Sequence, residues 1–351
     1  TLNAATAAAL RDARLMAAGF APGLAGVDQA IAAGESFSLF GGLGNAFAGE
    51  FPDYSDIDVI LTSGISEYNA LQFQLTGNFT RPAPYIKSLF LQVSYALSRF
   101  NAIVGDQDFI TGTAFNDDFL NPRAKGPSAL DRTHQLTVNS IIELPHGFTL
   151  ASIWRVNTAR PTTPVLPQFG RAGSANEIFF TDLDGDGTTS DILPGAERGS
   201  FGRDIQGGDE LNERITAFNN NFAGTLTPAA QALVRAGVFT ADQLRALGFV
   251  VQPIPLAPSN QVENDSFITT DLRISKKTFL YGERVNIEPF VEVFNLFNVA
   301  NFGQLSGVLG GSPGQINGTV RGTRSNKLGL GSGSFSQGLS RAIQVGLSVS
   351  F

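Results

Sequence analysis

Apolar and polar residues alternate one by one over about seven stretches of this chain, the repeat of an extended strand whose two faces meet different surroundings. In "NALQFQLTGNF", Leu71, Phe73, Leu75 and Phe79 interleave with Gln72, Gln74, Thr76 and Asn78. In "SLFLQVSYAL", Leu89, Leu91, Val93, Tyr95 and Leu97 share a face, and Phe90 breaks the opposite polar row. "HQLTVNSIIEL" sets Leu136, Val138, Ile142 and Leu144 against Gln135, Thr137 and Asn139, and "FTLASIWRV" sets Phe148, Leu150, Trp154 and Val156 against Thr149, Ala151, Arg155 and Asn157. "ITTDLRIS" opposes Ile268, Leu272 and Ile274 to Thr269, Asp271, Arg273 and Ser275. "RVNIEPFVEVF" opposes Val285, Ile287, Val291 and Val293 to Asn286, Glu288 and Glu292. "RAIQVGLSVSF" carries its apolar stripe of Ile343, Val345, Leu347 and Val349 to the last residue, Phe351.

The connections are as regular as the strands. "TRPAPYIK", "PHG" and "KKTFLYGE" are short, residues 101–131, 159–265 and 299–339 are long, and the two kinds alternate. Antiparallel strands joined this way gather every tight turn at one end of a sheet and every large loop at the other, as in outer-membrane barrels. The expected fold is all-β: an antiparallel transmembrane β-barrel segment of about seven long strands, an incomplete barrel, with long extracellular loops bearing short helices. A soluble β-sandwich prefers turns every 8–12 residues and does not host a connection of roughly a hundred residues. Phe351 is then expected at the inner interface, where the last strand ends.

Three helix signatures interrupt the loops. "TAAALRDARLMAAG" reads from Thr6 to Gly19. Thr227 caps "TPAAQALVRAG", with Pro228 at the first helical position and Gly237 at the stop. In "TADQLRALG", Thr240 and Gln243 have capping-box spacing and Gly248 ends the turn. The same long loop holds "DLDGDGTTSD", where Asp182, Asp184 and Asp186 alternate through a Gly-rich bend and Asp191 follows. Carboxylates so spaced can converge on a hard cation, for which calcium is the natural candidate. A standard EF-hand needs Glu at the twelfth position, where Leu193 stands, so a solvated Asp/Gly turn is the competing reading.

Composition narrows the chemistry. Cysteine is absent and His134 and His146 are the only histidines, which removes disulfides and thiolate chemistry. "GGSPG" around Ser312 matches the G-x-S-x-G string but lies in a Gly-rich loop with Pro313, not at a strand-to-helix turn, and no P-loop occurs. No enzyme is expected. Acidic residues number 31 against 24 basic ones that do not cluster, giving a net charge of -7, so nucleic acid is not an expected partner. Aromatic usage is lopsided, 29 Phe against five Tyr and one Trp. Phe290, Phe294 and Phe297, with Asn295 and Asn298, fit an interfacial girdle with a strand-end cap, or else a ligand platform. Asp271, Arg273, Glu288 and Glu292 fall on the polar face, where they are expected to pair across strands. Thr1 opens the chain without a signal peptide, so a piece of a longer precursor is expected.

"NIEPFVEVFNLFNVANFGQ", residues 286–304, resembles the C-terminal barrel of TonB-dependent outer-membrane transporters, specifically the Oar-like group, whose members carry a carboxypeptidase-regulatory-like domain. So do "GISEYNALQFQL" (64–75), "GPSALDRTHQLTVNSIIELPHGF" (126–148), "IFFTDLDGDGTTSDILPG" (178–195), "GTLTPAAQALVRAGVFTADQL" (224–244) and "TTDLRISKK" (269–277), in the same order. The resemblance implies a barrel in the bacterial cell outer membrane that imports a bulky solute with energy delivered through TonB. It also implies a plug and further strands that these residues do not supply, since transporters of this class have 22 strands. Residues 1–66 are then an extracellular loop region with short helices leading into a strand, and 67–351 the C-terminal part of the barrel. The expected partners are outer-membrane lipid, the TonB complex through the plug and N-terminal regions, and an unidentified bulky solute. The alternative is a structural or adhesive surface protein stiffened by calcium at Asp182, Asp184, Asp186 and Asp191, without TonB-driven transport.

Overall fold

The computed structural model describes residues 4–41, 43, 65–103, 125–167, 183, 191–261, 263–280, 284–311, 316–318 and 340–351. All seven alternating stretches are strands: β1 (Ser66–Thr80), β2 (Ser88–Ala102), β4 (His134–Glu143), β5 (Phe148–Asn157), β6 (Phe267–Lys276), β8 (Val285–Phe294) and β9 (Ala342–Ser350). Two short pieces, β3 (Gly126–Pro127) and β7 (Thr278–Leu280), complete a nine-stranded antiparallel sheet. β7 pairs with β8 in the register already set by β6, Leu272 opposite Val293 and Thr278 opposite Ile287. The two are therefore one strand interrupted at Lys277, and the short connection expected over "KKTFLYGE" shrinks to the residues after Leu280. At the interruption Lys277 N–H donates to Gly147 O at 2.8 Å. Gly147 has φ +81°, and a Cβ there would meet the Lys277 carbonyl at 2.3 Å, so only glycine fits this turn.

Each long strand lies beside its neighbour in sequence, so the sheet is a meander with β1 and β9 at its edges. The register lines up like with like along most of each face, with exceptions such as Phe90 opposite Ile141 on the polar side. Leu75 stands opposite Val93, Val93 opposite Val138, Val138 opposite Trp154, and further on Ile274 opposite Val291 and Val291 opposite Val345. A slip of one residue at any pairing would turn a whole apolar row to the other face. The apolar face is bare: Leu71 is 68% exposed, Phe73 57% and Val345 74%. A patch of this extent is stable only against a nonaqueous partner. Its few polar groups satisfy one another, with Ser140 Oγ 2.8 Å from Ser152 Oγ and Trp154 Nε1 donating to Ser152 Oγ at 3.1 Å.

The buried core lies off the sheet, beyond its long-loop end. α1 (Ala4–Ala17), α2 (Leu24–Ala32), α3 (Gly207–Phe222), α4 (Pro228–Arg235) and α5 (Ala241–Ala246) share one hydrophobic cluster that also takes Leu305, Leu309 and Ile316. Leu15, Leu211, Ile215, Leu233 and Phe249 are fully buried in it. The capping signals act as expected. Thr227 Oγ1 accepts from Ala230 N–H, and Thr240 and Gln243 form the reciprocal capping box. α3 was not among the expected helices, although Asp209 and Glu210 in its first turn and Leu211, Ile215 and Phe218 on one stripe carry the pattern. The N-terminal segment is held to the central loop by Gln243 Nε2, which donates to Leu24 O at 2.9 Å and Asp28 Oδ1 at 2.7 Å. The rings of Phe40 and Phe239 meet edge-on at 5.2 Å. The described segments of the N-terminal, central and last loops thus form one packed cap rather than separate decorations.

Candidate functional site

Amide and charged side chains gather on the polar face of the sheet, the wall that leads up to the cap. Over β1, β2 and β4 this wall is neutral except at its short-turn end, where Glu143 accepts from Ser88 Oγ at 2.6 Å. Gln72, Gln74, Ser94, Ala96, Gln135 and Thr137 line an open hollow of about 510 Å³. Above it Tyr68 and Phe100, opposite each other in the register, meet edge-on at 6.2 Å. Amides and hydroxyls there present both donors and acceptors, with aromatic edges at the rim.

Over β5, β6 and β8 the wall is charged. Arg155 lies 3.5 Å from Asp271, and Arg273 lies 3.0 Å from Glu292 and 3.9 Å from Glu288. These four acidic and basic positions of β6 and β8 were expected to pair across strands, and they do. Phe290 does not take the girdle position. It sits on the polar wall with its ring 4.0 Å under the Arg273 guanidinium and across Gly346, whose Cβ would stand 2.2 Å from Cζ. Phe297 faces outward instead, 5.8 Å from Trp154, in the position of an interfacial girdle.

The strand ends beneath the cap are closed by side chains. Asn295 and Asn298 take φ of 48° and 52°, a left-handed conformation that asparagine tolerates. Asn295 N–H donates to Asp271 Oδ1 at 2.9 Å, and the Asn295 amide closes a loop on Val299 with bonds of 2.9 and 3.0 Å. Asn301, fully buried, pairs both backbone groups of Ile268, at 2.7 and 3.0 Å. Asp131, 2% exposed, joins cap to sheet: its Oδ1 accepts from Phe100 N–H at 2.7 Å and its Oδ2 from Arg203 Nε at 2.9 Å. Sequence reasoning passed over Asp131 and Arg203 because they lie in connections with no periodic signal.

Of the proposed metal ligands, Asp182, Asp184 and Asp186 lie outside the described residues. Asp191 is 4% exposed, and its Oδ2 accepts from Leu183 N–H. Among the described residues no three His, Cys, Asp or Glu groups are placed to hold a metal. Ser312 also lies outside the described residues. His134 stands at a strand end with Nδ1 2.8 Å from Tyr95 Oη, and His146 occupies the short turn between β4 and β5 at φ 61°.

No helix among the described residues is long and apolar enough to cross a membrane, which leaves crossing by strands open. No curated protein matches this chain. Among solved structures, the outer membrane transporter YddB from Escherichia coli is similar at a TM-score of 0.38 and 8% identity, over 81% of this chain and 25% of that one. The chain thus spans about a quarter of that transporter's length. A family model described as "Outer membrane beta barrel domain" matches residues 27–327, a span that takes in helices α3 to α5 of the cap and strands β1 to β8. The chain belongs to the outer membrane β-barrel domain family and resides in the outer membrane.

Proposed function

We propose that this chain is the C-terminal part of the barrel of a TonB-dependent transporter that imports a bulky solute across the outer membrane. The observation that supports it most is the division of labour within one sheet. A continuous apolar face turns to lipid, while the opposite face carries ion pairs and unblocked amides beneath a folded loop cap. A narrow barrel fills its interior with side chains, whereas a wall that leaves Gln72, Gln74 and Gln135 around an open hollow suits a wide lumen. Among the described residues β1 pairs only with β2 and β9 only with β8, so both edges are open to the further strands that a wide barrel requires. In this reading residues 1–66 lead from the extracellular surface into the first strand, and 67–351 supply the closing third of the barrel.

The test uses the full-length protein in its own bacterium. Uptake of labelled solutes above the porin size limit is compared in cells with and without the gene, each with and without an intact TonB. Loss of one solute in both deletions supports energised transport. A solute whose uptake needs this protein and not TonB would sink the coupling.

A second reading, calcium stiffening of the cap, is favoured by the Asp191 carboxylate, which is buried and turned onto the backbone between Asp182 and Asp184. It predicts that micromolar to millimolar calcium raises protease resistance of the central loop, the range of sensor and extracellular sites. It also predicts that D182N/D184N abolishes the effect.

A further inference from the structure

At the short-turn end the outward face changes character within two residues. Phe79 stands opposite Leu89, Leu89 opposite Ile142, Ile142 opposite Leu150, Leu150 opposite Ile274 and Ile274 opposite Val291, a row without a polar group. One pleat repeat nearer the turns, ~7 Å along the strands, the same face turns basic. Lys87 has the parity of Leu89 and Lys276 that of Ile274, and Lys276 stands opposite Phe148. Arg81 closes the hairpin between β1 and β2 opposite Lys87, its N–H donating to Lys87 O at 2.9 Å.

Arg81, Lys87 and Lys276 are all exposed. Among the described residues no carboxylate forms an ion pair with any of them. Glu143, the acidic residue beside them in the register, lies on the opposite face and accepts from Ser88 Oγ at 2.6 Å. Lys276 rests on an aromatic ring instead, its Nζ 5.2 Å from the Phe148 centroid, which keeps the ammonium on the outward face. Tyr85, 84% exposed in the hairpin turn, adds an amphipathic ring of the kind found where a bilayer meets water. Like charges at opposed positions, here Arg81 and Lys87, destabilise a strand pair, and an anion between them relieves the repulsion. Arg132 at the long-loop end, by contrast, is largely buried: burial and the neighbouring Arg160 and Arg203 hold its guanidinium down at about 10.

We propose that Arg81, Lys87 and Lys276, with the Phe148 ring, form a docking surface for the head group of an anionic phospholipid in the periplasmic leaflet. The short turns of such a barrel face the periplasm, so these cations stand where hydrocarbon gives way to head groups. Their stems can lie along apolar surface while the charged ends reach a phosphate. The exposed side chains of Phe79 and Ile274, one row deeper, are the surface that the acyl chains of the same lipid would cover. Charge complementarity selects the head group: a zwitterionic one brings an ammonium of its own against the three cations, and an anionic one does not. The inference rests on the outward face alone and stands whether or not the barrel transports anything.

The experiment is native mass spectrometry of the full-length protein in mild detergent, offered phosphatidylglycerol, phosphatidylethanolamine with the same acyl chains, or soluble glycerol phosphate. The wild type is expected to retain the anionic lipid at least ~10-fold better than the zwitterionic one, since each Lys or Arg beside an anionic surface contributes about fivefold and both lipids share the attraction of the phosphate. R81Q/K87Q/K276Q is expected to lose that preference, and R81K/K87R/K276R to keep most of it. K277Q/R284Q removes two exposed cations of the same end that have the parity of the polar wall, and should leave the preference unchanged. Folding of each variant is checked by heat-modifiable gel migration. Salt tests the wild type without any variant: raising ammonium acetate from ~0.1 to ~1 M shortens the screening length from about 10 to 3 Å and should release the anionic lipid. Equal retention of both lipids by the wild type, retention unaffected by salt, an equal loss of preference in K277Q/R284Q, or displacement by equimolar glycerol phosphate would each overturn the proposal, the last by making the surface a site for a small soluble anion.

Discussion

Replacing Asn301 with alanine tests how the upper end of β6 is held. Pairing of β6 with β8 runs from Ser275 to Leu272 and stops. Beyond it Leu296 N–H reaches Thr270 O at 2.7 Å, and the Asn301 amide takes both the N–H and the C=O of Ile268. One side chain here does what a strand would do. Asn301 is fully buried, so water cannot replace it without rearrangement. Two hydrogen bonds at about 1 kcal/mol each, plus about 1–3 kcal/mol for the buried group left unsatisfied, put the local cost of Asn301→Ala at roughly 3–5 kcal/mol. The lower end corresponds to roughly 100-fold faster hydrogen exchange at the Ile268 amide if it exchanges by local opening. Asn301→Asp keeps the acceptor for Ile268 N–H and loses the donor, so it should fall between. The assay is amide exchange read by mass spectrometry on the full-length protein in detergent, with peptides covering 265–272 compared with those from β4. If exchange at Ile268 is unchanged in Asn301→Ala, or rises equally across the sheet, the amide is not the local clamp described.

Leu233→Ala in α4, a fully buried cap position, should cost about 2–5 kcal/mol and open the central loop to protease, while the strands keep their heat-resistant gel migration. Arg273→Met leaves Glu288 and Glu292 without their cation; because Arg273 is 39% exposed the loss should be only about 1 kcal/mol, and adding Glu292→Gln should recover part of it in urea titration. The Arg132 guanidinium, held at about 10 in the folded protein, sheds its proton before the unfolded chain does. Its charging penalty is therefore constant below pH ~10 and is relieved as pH rises above it, so the wild type should gain stability over Arg132→Gln between pH 10 and 12 in thermal melts.

Period-2 alternation was sufficient to find all seven long strands and to assign their faces, because a strand places successive side chains on opposite sides whatever its neighbours are. The alternation of short and long connections then fixed the meander, since a two- to seven-residue turn can join only adjacent antiparallel strands. Thr227, Thr240 and Gln243 announced their helices because capping is a contact within four residues. What the sequence could not disclose depends on residues far apart along the chain. Leu15, Phe40, Leu211 and Leu309 share one core although the loops that carry them read as separate excursions. Phe290 looks like one more interfacial aromatic until Gly346, 56 residues later, is seen to make room for its ring. Local repeats determine which way each side chain points, and only long-range pairing decides which side chains meet there.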